Sequence, residues 1–280
     1  LFKQISIVGL GLIGGSLGLA LRKGKIARKV IGFSRHEATI RRAIARGAID
    51  DGDTELCPDW LGHSDLVVIA TPPLAVAATA RRIAKITSGR IFLTDVASTK
   101  SEIVKELERS LPSRISFVGA HPMAGSERSG IDAADPALFR DAVCVITPTP
   151  RTNSAARARV SLLWHGVSSR VVSMPAARHD ALVAQISHLP HLTAAALTRA
   201  PDPAALALAA GGFADATRIA AGDPALWEEI CRTNRREILS ALVRLQRELN
   251  QLKKLLRGGR SRELRQFLAA AQRRRLQLGR

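Results

Sequence analysis

The segment GAHPMAGSERSG (119–130) sets one histidine, His121, between a small residue and a proline, ahead of a polar, glycine-rich loop. Such a stretch suits neither a core strand nor an amphipathic helix. An imidazole with one ring nitrogen fixed by a hydrogen bond keeps the other as a proton acceptor near neutral pH. A hydroxyl that could do the fixing stands in DVASTK (95–100), at Ser98. Both residues follow apolar runs, so they fall at the ends of neighbouring strands. His121 and Ser98 are therefore candidates for a general base and its orienting partner. The alternative is a structural loop histidine. In the loop after His121, Ser126 is a candidate substrate contact. Glu127 is either a gate acting through an ion pair or a solvated charge. Lys100 falls in the first turn of a helix, where solvation explains it.

A proton acceptor of this kind suits a redox step if an electron acceptor lies beside it. IVGLGLIGGSLGLAL opens with Gly9, Gly11 and Gly14 in the G-x-G-x-x-G spacing, directly after an apolar strand and at the start of an apolar helix. In that context the pattern marks a dinucleotide site. Gly9 permits the tight turn, Gly11 lets a pyrophosphate approach the backbone, and Gly14 lets the helix pack against the strand. The free N–H groups of the first turn, around Leu12 and Ile13, then face the anion. NAD-binding chains carry an acid about 20 positions past the glycines, bonded to the ribose 2′-hydroxyl. Here that position holds Ser34, followed by Arg35 and His36. A hydroxyl and a guanidinium suit a 2′-phosphate, so NADP is expected. Glu37 keeps NAD as the alternative. Thr71 and Pro72, in the TPP that ends another apolar run, are further candidate cofactor contacts.

The elements that must position these residues are legible. ISIVG, KVIGFS, DLVVIAT, RIFLTDV, ISFVGA, AVCVIT and SRVVSM are short apolar runs, most of them separated by charged segments of helical length. Continuous apolar strands between helices imply a sheet buried on both faces. The fold class expected is α/β, a Rossmann-type, mainly parallel sheet domain over 1–174. An all-α substrate and dimerisation domain is expected over 175–280. Within it, PAALALAAGGFADATRIAAG reads as helix. A long helix starts after Asp223, a plausible N-cap, with Pro224 in its first turn. Leu239, Leu242, Leu245, Leu249, Leu252 and Leu256 make one apolar stripe along it. Burying that stripe against a second copy gives a homodimer.

Composition narrows the function classes. The chain has 280 residues with a formal net charge of +18, much of it in KKLLRGGRSRELR and QRRRLQLGR. That charge invites anions, yet it is not interleaved with aromatics that could stack on bases. A specific nucleic-acid partner is not expected. Three widely spaced cysteines offer neither metal-ligand spacing nor a disulfide framework. No metal is expected, and a cytoplasmic location fits. No apolar run reaches the roughly 18 residues of a membrane span, and no signal peptide is evident.

Five motifs in register, namely the glycine loop, DVASTK, GAHPMAGSERSG, SHLPH and GGFADATRIAAGDPALWEEI, resemble the prephenate/arogenate dehydrogenase family of tyrosine biosynthesis. The similarity runs over nearly the whole chain and is greatest to the short cyanobacterial-type arogenate dehydrogenases that use NADP. The resemblance implies oxidative decarboxylation of arogenate to tyrosine, with prephenate as the alternative substrate. It implies that His121 takes the C4-hydroxyl proton and that Ser98 orients it. It further implies that Arg218 grips a substrate carboxylate, with His188, His191 and Trp227 in the substrate pocket. Arg218 has a competing reading, an intrahelical pair with Asp215. Asp215 is the candidate for recognising the ammonium that distinguishes arogenate from prephenate. Neither the fused chorismate mutase nor the regulatory domain of some relatives is expected here.

Overall fold

A computed structural model of the protein describes residues 2–278. Eight strands form one sheet: β1 (Phe2–Val8), β2 (Ala27–Phe33), β3 (Asp51–Asp53), β4 (Leu66–Ile69), β5 (Ile91–Asp95), β6 (Ile115–Pro122), β7 (Val143–Thr147) and β8 (Arg170–Ser173). Their order across the sheet is β3-β2-β1-β4-β5-β6-β7-β8. Every neighbouring pair is parallel except β6 with β7.

The side-chain period of two explains why the strands read as unbroken apolar runs. Ile5 and Ile7 of β1, with Leu66 and Val68 of β4, join Leu17, Leu21 and Trp164 in one core. Val8, Val67 and Ile69 point the other way, into a second core with Val76, Ile83 and Leu107. Each such side chain, fully buried, contributes on the order of 1.5–3 kcal/mol. The strand β3 has no apolar signature. Its sequence is Asp-Gly-Asp, and only its ladder to Ile31–Phe33 of β2 makes it a strand.

Strands stop at Ser173, and the described chain beyond it is helical. A helix at Ala176–Val183 runs through a five-residue π turn, Ala184–His188, into a helix at Leu189–Arg199. The expected helix over PAALALAAGGFADATRIAAG is broken into Pro203–Leu206, Gly211–Thr217 and a 3₁₀ turn at Arg218–Ala221. Asp223 does cap the next helix, accepting from the Ala225 N–H, with Pro224 at its first position. That helix ends at Thr233, and a second runs from Arg235 to Arg257. The break is at Asn234, whose side chain is drawn into tertiary hydrogen bonds described below. A last helix spans Ser261–Gln277.

Two compact units result, one running to Arg235 and one starting at Arg236. Every candidate site residue lies in the first. No helix among the described residues is long and apolar enough to cross a membrane.

Candidate active site

Parallel pairing brings the carboxyl ends of β1, β4, β5 and β6 to one edge of the sheet. Gly9 and Gly11 follow β1, Thr71 and Pro72 follow β4, Ser98 follows β5, and His121 lies at the end of β6. The strand order reverses between β1 and β4, the switch point where open α/β sheets bind ligands. The three glycines separate by role. Gly9 has φ +102°, and a Cβ there would collide with the Ala70 carbonyl. A Cβ on Gly14 would collide with the carbonyl of Gly9, whereas one on Gly11 would meet nothing. Two glycines thus pack the turn and the third faces open space. The helix Leu12–Lys23 that follows has no side-chain cap on its first N–H groups. This cradle fits a pyrophosphate. At the end of β2, Ser34 is half-buried and Arg35 is exposed, with no ion pair among the described residues. Glu37 is occupied by Arg41 at 2.8 Å.

The upper half of β6 lies against β7, with His121 opposite Val145. His121 is 8% exposed. Its Nδ1 lies 2.8 Å from Nε2 of His179, with the rings edge to face. The expected bond from Ser98 is not formed. That hydroxyl makes no hydrogen bond among the described residues, because a histidine from the helix Ala176–Val183 already fills the Nδ1 side of the ring. Burial, then the neighbouring His179, Lys100 and His188, holds His121 well below the ordinary histidine range. The imidazole is therefore neutral near pH 7.

Lys100 is not solvated. It is fully buried and ion-paired with Asp95, which is also fully buried. Burial pushes the Asp95 carboxyl up and the Lys100 ammonium down, against their mutual attraction. Asp95 also accepts from the Ala97 N–H at 3.0 Å and the Ala120 N–H at 3.2 Å. The pair thereby ties the end of β5 to the residue that precedes His121.

The π turn has a sequence cause. Pro190 has no N–H and its ring crowds the carbonyl four residues back, so the helix widens ahead of it. His188 and His191, three residues apart, are both buried there. His191 stacks on Trp227 with centroids 3.4 Å apart, and His188 meets the same indole edge to face at 6.0 Å. Gly222 makes room: a Cβ there would press on Trp227 Nε1 and His191. Burial lowers His188 to about 4 and also lowers His191.

Arg218 is exposed and pairs with Glu127 at 2.6 Å, not with Asp215. A hydrogen bond from its own backbone N–H, then Arg218, holds Glu127 below the usual carboxylate range. Asp215 is exposed, with no ion pair among the described residues. Ser126 is exposed, and its hydroxyl accepts from the Arg128 N–H at 3.1 Å. Three residues escaped the sequence reading. His179 and Asp180 stand side by side in a helix of ordinary composition, and Asn234 lies inside an apparent long helix. Asn234 Nδ2 donates to the Asp180 carbonyl at 2.9 Å and lies 3.2 Å from His188 Nδ1. The adjacency of His179 and Asp180 was the available signal, and their burial emerges only in the fold.

A buried neutral imidazole, a guanidinium with a displaceable partner and an aromatic wall suit proton abstraction from an anionic ring substrate. Comparison with known proteins agrees in kind. The family profile described as "Prephenate dehydrogenase, nucleotide-binding domain" matches residues 17–173, and "Prephenate dehydrogenase, dimerization domain" matches 175–270. A prephenate dehydrogenase of Bacillus subtilis is 36% identical over 258 residues, covering 89% of this chain and 69% of that one. The fold is similar to that of A. aeolicus prephenate dehydrogenase in complex with hydroxyphenyl propionate and NAD+. The TM-score is 0.91 at 31% identity, covering 99% of this chain and 98% of that one. Synechocystis arogenate dehydrogenase gives a TM-score of 0.82 at 31% identity, covering 98% and 99%.

Proposed function

The chain belongs to the prephenate dehydrogenase family, and from that premise we propose that it oxidises and decarboxylates arogenate to tyrosine. A bound nicotinamide dinucleotide supplies the acceptor for the hydride that leaves ring C4. His121 Nε2 takes the C4-hydroxyl proton as the carbonyl forms there. The C1 carboxylate departs as CO2 and the ring becomes aromatic. Arg218 exchanges Glu127 for a substrate carboxylate, which it can clamp with two parallel bonds. His188, His191 and Trp227 wall the pocket, and Ser126 contacts the substrate at its mouth. Gly9, Gly11, Gly14 and the first-turn amides around Leu12 and Ile13 hold the pyrophosphate, with Thr71 and Pro72 beside them.

The observation that carries this reading is His121 itself: neutral, with Nδ1 occupied and Nε2 without a partner among the described residues, yet not sealed from the site. The unpaired Asp215 supports arogenate, since a free carboxylate can meet its ammonium. The names of the B. subtilis and A. aeolicus relatives support a second reading, prephenate to 4-hydroxyphenylpyruvate. The free Arg35 and the Arg41-bound Glu37 support NADP. The NAD+ in the A. aeolicus complex supports NAD. The leucine stripe supports a homodimer through the helices after Pro175.

The test is turnover with arogenate or prephenate, each with NADP or NAD, followed by the absorbance of reduced nicotinamide. The highest kcat/KM is expected for arogenate with NADP. A preference for prephenate moves the reading to the second substrate, and no turnover in all four mixtures overturns both.

A further inference from the structure

We propose that Asp180 and His179 form a hydrogen-bonded relay that fixes His121 as its Nδ1–H tautomer, presents Nε2 as the base, and receives the charge when that base is protonated. The kinetic part rests on the proposed function, whereas the tautomer assignment does not.

The Asp180 oxygens accept from three N–H groups. Oδ1 takes the Lys100 backbone N–H at 2.8 Å and His179 Nδ1 at 2.7 Å, and Oδ2 takes the Ser101 N–H at 2.8 Å. Burial alone would push this carboxyl up, but the bonds from His179 and Ser101 outweigh it and hold it ionised. An ionised carboxylate only accepts. His179 therefore carries its hydrogen on Nδ1, and in the neutral ring Nε2 must accept. The atom 2.8 Å away is His121 Nδ1, which must donate. His121 Nε2 is left with its lone pair. With the His179 ring neutral, each assignment follows from the one before, and none depends on the substrate.

The same chain can move charge. The substrate O–H proton passes to His121 Nε2, and the His121 Nδ1 proton passes to His179 Nε2. His179 keeps its Nδ1 proton, donated to Asp180. One positive charge then sits on His179 against a carboxylate, instead of on His121 beside the Lys100 cation. The reverse shift returns the shared proton from His179 Nε2 to His121 Nδ1, and the substrate-derived proton on His121 Nε2 leaves to water, which restores the starting state. His179 and Asp180 are positioning residues: they act through His121.

The test combines imidazole ¹⁵N NMR of the whole protein with kinetics. The His121 resonances are identified by their loss in His121→Asn. The native protein is expected to hold His121 as Nδ1–H. His179→Leu removes the acceptor, so His121 should shift toward the Nε2–H form and kcat should fall about 10²–10⁴-fold, with KM within a few-fold. His179→Gln keeps an acceptor oxygen. It should preserve the tautomer and recover part of kcat. Asp180→Asn should keep its carbonyl toward the two donors at Oδ1, preserving the tautomer while lowering kcat. Native His121 found as Nε2–H overturns the relay. So does His179→Leu with unchanged tautomer and rate. If His179→Leu does not fold, the native spectrum and His179→Gln still decide. Native Nδ1–H without turnover on any substrate would sink the proposed function and leave the tautomer assignment standing.

Discussion

Arg218 is an exposed cation already committed to Glu127, and the substrate must compete with that carboxylate. Hydrogen bonds to a charged group contribute roughly 1.5–3 kcal/mol. Arg218→Ala should therefore raise KM about 10- to 100-fold, with a smaller change in kcat. Glu127→Gln removes the competitor, so KM should fall while kcat holds. A rise in KM instead would make Glu127 a substrate contact. Asp215 is tested by the ratio of kcat/KM for arogenate over prephenate: Asp215→Asn should lower it, and an unchanged ratio removes Asp215 from substrate choice. The buried histidines set an acid limit on stability. His188, at about 4, and His191 and His121, also lowered, bind protons less readily folded than unfolded. Between the ordinary histidine value and about pH 4 the unfolded chain takes up more protons. Stability should fall as the pH drops through that window, by up to about 1.4 kcal/mol per unit for each group. Urea midpoints that stay flat from neutral pH down to about pH 4 would contradict the burial of neutral rings.

At the scale of elements, the Asp95–Lys100 pair joins β5 to the helix after it and, through the Ala120 N–H, to β6. Removing one partner of a buried ion pair leaves an unpaired charge, at a cost of about 3–5 kcal/mol. Lys100→Met should lose about that much stability in urea unfolding, and adding Asp95→Asn should restore part of it. An additive double variant would deny the coupling. Lys100 also shows where sequence reasoning ends. Helix position alone put it in solvent, and only the folded sheet shows that its ammonium is enclosed. The doubly buried strands were legible because both faces are apolar, and the glycine loop because Gly9 and Gly14 each have a separate steric reason while Gly11 faces open space. The strand β3 was hidden, since Asp-Gly-Asp becomes a strand only through its neighbour. The helix break at Asn234 was hidden because its cause is 54 residues away in sequence, at the Asp180 carbonyl. For His121, the residue and its strand end could be read in advance. Its partner could not, because Ser98 and His179 are equally able to hold a ring nitrogen until the helix packing decides.

At the scale of the whole molecule, the helix Arg235–Arg257 leaves Leu242, Leu249 and Leu256 exposed at heptad spacing, with Leu239 and Val243 beside the first of them. A seven-residue repeat of leucine is the seam of paired helices. A seam left in water would forfeit most of the burial energy that its side chains can provide, about 1.5–3 kcal/mol each. A second copy presenting the same face would recover that energy symmetrically, as two-fold dimers do. The helix is also strongly basic, so replacement by another cation should be unusually disruptive across a two-fold axis. Lysine retains helix propensity, which separates loss of the seam from loss of the helix. The Leu249→Lys, Leu256→Lys double variant should therefore sediment as a monomer at concentrations where the native protein sediments as a dimer, with its helical circular dichroism retained. A native protein that is monomeric throughout would remove the second copy as the partner of this face.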